Sequence, residues 1–343
     1  MKALVIATGG VGETVLALPL IRALRERRAV EHLCWVAQQR VAPLLQRVGG
    51  IDELAVFDRA RLSATGRWRR GWRWARWLWP FVGRRFDLVV TLRETGLARA
   101  LAAVVRATER LRFGEDGGGV RHPVPGRYLA DEWLRLVTGH DGPAMPRAEI
   151  PSLWLDPPRP LAQRLEGEGP LVCLAPGLGD EGGPQAALRR WPIAAWRELA
   201  RALREHEVRV ALLGPVEDEA AAHAFEDLEV IDLRAVTDLL ETLAVFGRAD
   251  CVVAVDGALL QLAVLAGVPL VALFGPSPPS RVLRRDVHTL PLWGGADLPC
   301  RPCFDGLHHA PCPGNRCLQE LEPRHVLDAV LRQIGIERRA RTG

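Results

Sequence analysis

The chain has 343 residues, 48% of them hydrophobic, which supplies apolar material for two cores and excludes a disordered chain. At about 100–200 residues per domain, the length predicts two domains. The net charge of +4 does not by itself indicate a nucleic-acid partner, and because Lys2 is the sole lysine, arginine at any one site carries less information than usual.

Lys2–Thr8 reads as a strand, Gly9-Gly10-Val11-Gly12 as a tight glycine loop and Glu13–Arg27 as an amphipathic helix with Leu16, Leu20 and Leu24 on its buried face. The loop lacks the full G-x-G-x-x-G spacing of a dinucleotide fingerprint. Glu13 occupies the first turn of that helix, where its carboxylate complements the helix dipole or faces a crevice beside the strand ends. The apolar run before Glu13 is too short for a signal peptide, so the cytoplasm is the expected compartment and the seven cysteines are expected to be reduced or metal-bound.

Strands follow at His32–Ala37, Glu53–Phe57 and Asp87–Leu92 with helices between them, a pattern of a parallel, doubly wound sheet. Between the last two strands lies GRWRRGWRWARWLWPFVGRRF, with five tryptophans, and from Arg59 to Phe86 there are nine arginines and no acid. Trp68, Trp72, Ala75 and Trp79 share one helical stripe, the natural choice for packing on the sheet, while Trp74 and Trp77 fall off it. Tryptophan beside Arg73 and Arg76 suits shallow docking on an anionic membrane or glycolipid. RNA binding would use the same residue types. Arg93, just past the third of these strands, joins Trp68, Trp72, Arg73 and Arg76 as a candidate for the acceptor or membrane side.

Asp141–Pro160 is proline-rich and aperiodic and is read as the linker, giving domains at 1–150 and 161–335. The second half opens with a strand at Leu171–Ala175 and the turn Pro176-Gly177-Leu178-Gly179. A helix at Ile193–Arg204 follows Trp191-Pro192, with strands at Val208–Leu213 and Glu229–Leu233 and a helix at Leu239–Phe246 capped by Thr237-Asp238. Then comes ADCVVAVDGALLQLAVLAGVPLVALFGPSPP, read as strand Cys251–Val255, helix Gly257–Ala266 with Asp256 as its N-cap, and strand Leu270–Phe274. Gly267 ends the helix and Pro269 prevents its continuation. No charge occurs from Gly257 to Ser280, but Gln261, Gly267 and Pro269 break the run, which excludes a membrane span. A helix opening with Gly257-Ala258 at the end of a parallel strand is a seat for phosphate, since its free N–H groups face outward and small residues permit close approach.

Cys300, Cys303, Cys312 and Cys317 have the spacing C-x2-C-x8-C-x4-C, in which four thiolates can surround a structural zinc or iron, with His308 or His309 as substitutes, or remain free thiols. A closing helix at Leu318–Ile334 and a frayed Arg-rich tail from Glu337 complete the chain.

Together LVIATGGVGETVLALPLIRAL, RRWPIAAWRELARAL, VDGALLQLAVLAGVPLVALFGPSPP and RPCF followed by PGNRCLQELEP resemble the bacterial lipopolysaccharide heptosyltransferases, glycosyltransferase family 9, over nearly the whole chain. The resemblance implies a GT-B fold, α/β with two Rossmann-like domains facing a central crevice, the first on the acceptor side and the second holding the nucleotide sugar. It implies inverting transfer of heptose from ADP-heptose to the anionic lipopolysaccharide inner core at the inner face of the cytoplasmic membrane, without a catalytic metal and without nucleic acid. Glu13 stands where the family has an aspartate general base, and Arg189 where it has a lysine beside the donor phosphates. Donor contacts are expected from Gly12, Gly177, Asp256, Gly257, Ala258 and Gln261. The family's Asp-Thr/Ser-Gly-x-x-His is here Asp256-Gly257-Ala258-Leu259-Leu260-Gln261, so a hydroxyl and an imidazole are replaced. A degenerate, non-catalytic relative and a protein-modifying transferase with a metal-bound knuckle are the alternatives.

Overall fold

The computed structural model describes residues 1–59, 62, 67–113, 123–124, 126–139, 148–177, 186–216, 219–284, 286–301, 303, 310–312 and 314–342, the side chains of 67–70, 219–220 and 336–342 excepted. The chain divides into two compact units, Met1–Pro151 and Ser152–Gly343.

The first unit is built on β1 (Lys2–Ile6), β2 (His32–Gln38), β3 (Glu53–Phe57), β4 (Arg85–Thr91) and β5 (Arg106–Arg112). All pairings are parallel, in the order β3-β2-β1-β4-β5. β1 and β2 are buried along nearly their whole length, as continuous apolar strands covered on both faces must be. One side of the sheet packs Leu4, Ile6, Val36, Phe57, Phe81, Phe86 and Val89 into a common cluster. β5 has the sequence RATERLR and is bonded to β4 alone, with exposure alternating along its length. An edge strand needs only one apolar face, so its charges hid it from a search for hydrophobic runs.

The single helix expected over Glu13–Arg27 is two, Val11–Ala17 and Pro19–Arg28, which meet at Leu18. Pro19 at the start of the second lacks an N–H and suits a first turn better than a helix interior. Leu16, Leu20 and Leu24 are buried as expected. Because the first helix begins at Val11, Gly12 sits in its first turn and not in the loop. A helix at Leu129–Thr138 also lies in this unit.

The helix Arg67–Leu78 crosses from β3 to β4 with the opposite face to the one expected inward. Trp74 and Trp77 pack on the core cluster and donate their indole N–H groups to the carbonyls of Leu62 (3.1 Å) and Val56 (2.8 Å). Trp77 also contacts the rings of Phe57 and Phe81. Trp72 and Trp79, placed by periodicity on the packed stripe, are 70% and 76% exposed. Indole partners on the neighbouring chain decide the rotation, which spacing alone does not encode.

The second unit contains β6 (Leu171–Ala175), β7 (Arg209–Leu212), β8 (Ile231–Asp232), β9 (Cys251–Val255), β10 (Leu270–Phe274) and β11 (Thr289–Trp293), ordered β11-β10-β9-β6-β7-β8 and parallel throughout. Counted from each unit's own first strand, the two orders are 3-2-1-4-5 and 3-2-1-4-5-6, the doubly wound Rossmann-like arrangement expected from the alternation. Asp238 and Glu241 form a reciprocal capping box on the helix Leu239–Phe246. The closing segment is a short helix, Arg316–Gln319, and a long one, Pro323–Thr342, that carries the helix through the tail expected to fray.

Candidate functional site

In a doubly wound sheet, ligands collect outside the carboxyl ends of the strands at the point where strand order reverses. That point lies between β1 and β4 in the first unit and between β6 and β9 in the second.

At the first switch point, the segment after β1 is held by its neighbours. Buried Gln38 donates through Nε2 to the carbonyls of Thr8 (2.8 Å) and Gly9 (3.0 Å). Thr8 and Thr95 hydroxyls are bonded at 3.2 Å, and Thr95 in turn caps the helix Gly96–Val104 by accepting from the Ala98 N–H. The Thr14 hydroxyl donates to the Gly10 carbonyl at 2.8 Å. Gly10 is the N-cap of the helix carrying Glu13. The Glu13 side chain folds back over Gly9 so closely that a Cβ there would overlap its Oε2 and lie 2.7 Å from its Cδ. From the end of β4, Arg93 donates through Nη1 to Glu13 Oε1 at 2.8 Å. Glu13 and Arg93, 80 residues apart in the chain, therefore meet across the switch point. Gln38, Thr8 and Thr95 escaped the sequence reading; a polar Gln at the end of an apolar strand was the available signal.

At the second switch point, Arg189 donates through Nη1 to the Asp256 carbonyl at 3.1 Å, joining two expected site residues 67 apart in the chain. The helix after β9 starts at Ala258 with Gly257 as N-cap, so Asp256 is one residue before the cap and not the cap itself. Gly257 has φ 177, and no side chain caps this helix, so its first N–H groups have no partner from the N-cap side chain. Gly177, just past β6, abuts Pro215: a Cβ would lie 2.7 Å from the Pro215 carbonyl oxygen. Gly214, at φ +104, faces Leu259 with equally little room. The glycines thus bring the loops after β6 and β7 against the first turn of the Ala258 helix. Gln261 is 2% exposed and donates through Nε2 to the Val282 carbonyl at 2.7 Å, while its Oε1 is buried without a hydrogen-bond partner among the described residues. Trp191 is buried, with its indole bonded to the Leu321 carbonyl and its ring edge-on to Trp196.

The helix Arg67–Leu78 carries exposed Trp72, Arg73 and Arg76, and exposed Trp79 follows it; the side chain of Trp68 lies outside the described residues. Among the described residues no helix is long and apolar enough to cross a membrane.

Of the four cysteines near the C-terminus, Cys317 is buried and Cys312 donates through Sγ to the Gly314 carbonyl at 3.0 Å. Burial, followed by the adjacent Cys300, pushes the Cys303 thiol up to about 11. Among the described residues no three His, Cys, Asp or Glu side chains gather as a ligand set for a zinc or iron ion. His308 and His309 lie outside the described residues.

A family model described as glycosyltransferase family 9 (heptosyltransferase) matches residues 182–309. Lipopolysaccharide heptosyltransferase 2 of Salmonella typhimurium is 26% identical over 314 residues, spanning 81% of this chain and 84% of its own length. Lipopolysaccharide heptosyltransferase 1 of the same organism is 22% identical over 303 residues, spanning 82% and 90%. Among solved structures, the ADP-heptose lipopolysaccharide heptosyltransferase II of Escherichia coli aligns with a TM-score of 0.68 at 19% identity, covering 98% of this chain and all of that one.

Proposed function

From a chain that resembles the heptosyltransferases of glycosyltransferase family 9, has their GT-B fold class and is by that relationship a glycosyltransferase, we propose an inverting transfer of heptose, or a related sugar, from an ADP-sugar to a lipopolysaccharide inner-core acceptor. The observation that carries this reading is the occupancy of the two switch points: a carboxylate, Glu13, at one, and a guanidinium beside an uncapped helix start, Arg189 and Ala258, at the other.

The reaction is a single displacement. Glu13 takes the proton of the acceptor hydroxyl, and the oxygen attacks the anomeric carbon from the face opposite the nucleotide. The bond from that carbon to the diphosphate oxygen breaks, and ADP leaves with the electron pair. Arg189 and the N–H groups at the start of the Ala258 helix stabilise the charge developing on the diphosphate, with Gly177 and Gly257 allowing it to approach main chain. Gly12 lies just past β1 in the first unit, and Asp256 just past β9 in the second. Gln261 acts from behind, fixing the Val282 segment instead of carrying a charge. No step passes through a metal.

The acceptor is an anionic glycolipid, and the protein works at the inner face of the cytoplasmic membrane. Support comes from exposed Trp72 on the helix and exposed Trp79 just past its end, with exposed Arg73 and Arg76 between them. Exposed indoles beside arginine suit the boundary between headgroups and acyl chains.

A thermal-shift panel of nucleotide diphosphates and their sugars tests the donor. A ligand at about 100 times its dissociation constant adds about 2.7 kcal/mol. ADP and ADP-heptose should stabilise the protein above all others, and Glu13→Gln should keep that shift while losing turnover. Stabilisation by a different nucleotide alone would overturn the donor assignment.

A further inference from the structure

Glu13 is one methylene longer than an aspartate and has one more torsion to fix. Two contacts help to fix it. Gly9 lies under the folded side chain, leaving no room for a Cβ, and Arg93 holds Oε1 at 2.8 Å from the other strand of the switch point. The ion pair is not a buried structural one: Arg93 is 62% exposed and Glu13 32% exposed. A guanidinium has five N–H donors in a rigid fork, and the bond to Glu13 uses one nitrogen. With 62% of its side chain exposed, Arg93 keeps donors accessible to solvent beside the carboxylate.

We propose that Arg93 reads the acceptor: it binds an anionic group of the acceptor with its outward N–H groups while Nη1 keeps Glu13 aimed at the neighbouring hydroxyl. One side chain then ties recognition to proton removal. An acceptor whose phosphate or sugar-acid carboxylate lies next to the accepting hydroxyl is aligned by it, and a neutral acceptor is not. Arg93 is a positioning residue toward the proton transfer and a binding residue toward the anion. Its surroundings are suited to the role. Thr95, two residues on, is bonded to Thr8, and Gln38 holds the carbonyls of Thr8 and Gly9, so the two ends of the Arg93–Glu13 pair sit on connected main chain. The adjacent Glu94 pairs with Arg112 at 3.2 Å.

This role rests on the proposed function, with Glu13 as base, and the experiment separates the two. Binding of heptose-free lipopolysaccharide is measured without any donor for wild type, Arg93→Gln and Arg93→Lys. The same is done with lipopolysaccharide treated with phosphatase and, separately, reduced at its sugar-acid carboxyls. Arg93→Gln should weaken binding of the untreated glycolipid about 10- to 100-fold, the loss for a hydrogen bond to a charged group. Arg93→Lys should restore part of it. Whichever treatment removes the group read by Arg93 should weaken wild type by the same factor and leave Arg93→Gln unchanged, which identifies phosphate or carboxylate as the partner. Equal affinities of wild type and Arg93→Gln for the untreated glycolipid, or binding by neither, overturn the proposal. In turnover, Arg93→Gln should raise KM for the anionic acceptor and also lower kcat, a combination that a purely structural role would not tie to acceptor charge. Turnover that persists in Glu13→Gln would instead remove Glu13 as base and leave the binding comparison to stand by itself.

Discussion

Arg189 donates to the main-chain carbonyl of Asp256 at 3.1 Å, and that single bond fixes a cation beside the start of the Ala258 helix. Because the carbonyl is part of the backbone, no substitution at Asp256 removes the bond directly. Arg189→Ala should lower kcat about 100- to 1,000-fold, the range seen when one donor to a developing negative charge is removed. Steady-state kinetics on the ADP-sugar, with KM for the acceptor unchanged, would agree with a role confined to the leaving group.

Gly9 is the narrowest position at the first switch point. Gly9→Ala forces the Glu13 carboxylate aside, since the new methyl would occupy its place. The new methyl would also lie 2.7 Å from Glu13 Cβ, which is fixed to the helix, so the main chain must give as well and Tm should fall, at a cost of about 1–3 kcal/mol. Turnover should fall at least 10-fold, in proportion to the displaced base. A variant with wild-type kcat and unaltered Tm would mean that Glu13 does not act from the position described.

The two pairs of tryptophans on the crossover segment should separate completely. Trp77→Ala removes a ring packed on Phe57 and Phe81 and an indole bonded to Val56, at a cost of about 3 kcal/mol. Trp72→Ala and Trp79→Ala touch exposed positions and should change stability by no more than about 0.5 kcal/mol. Their effect should appear in co-sedimentation with phosphatidylglycerol-containing vesicles, where the double variant loses binding that wild type shows at low salt. Vesicle binding that survives in the double variant would place the membrane contact elsewhere.

Arg84 clamps Glu53 with both guanidinium nitrogens, at 2.7 and 2.6 Å, and this hydrogen bonding holds the Glu53 carboxyl below the ordinary glutamate range despite its partial burial. A carboxyl lowered in the folded state stabilises the fold fully above its unfolded value, and the contribution is lost as pH falls through the lowered folded value. Glu53→Gln should therefore narrow the difference in Tm between neutral pH and pH 3, chiefly by reducing Tm at neutral pH. Differential scanning calorimetry across that range checks the sign, and because the pair is partly solvated the effect should be modest.

Gln38 carries two buried donor bonds to the segment after β1. Gln38→Leu keeps the volume and leaves the carbonyls of Thr8 and Gly9 without those donors, at a cost of about 1–3 kcal/mol. Chemical denaturation should show a lower midpoint with an unchanged slope.

Strands buried on both faces declare themselves in sequence, which is why Leu171–Ala175, Cys251–Val255 and Leu270–Phe274 have the same limits in sequence and structure; the partly buried edge strand Glu53–Phe57 was legible from its apolar LAVF run. The cap at Thr237-Asp238 was legible for a similar reason, because capping is a local pattern, and the structure adds Glu241 as its reciprocal partner. β5 and β11 were not legible: one is charged, the other contains Pro291, and both lie at sheet edges where a single neighbour suffices. The expected cap at Asp256 moved to Gly257, whose extended backbone (φ 177) directly precedes the helix start at Ala258. For the site, local sequence marked Glu13 as a carboxylate in the first turn of a helix after a glycine loop, while Arg189 came from the family resemblance. It could not pair Glu13 with Arg93 or Arg189 with Asp256, since those meetings depend on which strands become neighbours.

The three arginines and one glutamate along β5 have a consequence for the molecule in a crowded solution. An unprotected outer strand offers free N–H and C=O groups to any passing extended segment, and RATERLR meets such a segment with mixed charges that are costly to desolvate. At one margin of the second sheet, β8 has only two residues, too short a template for a foreign strand. Replacing Arg106, Thr108, Arg110 and Arg112 with valine and threonine would leave the parallel pairing to β4 available while turning this margin into an adhesive one. A protein that keeps these charges resists strand-by-strand aggregation.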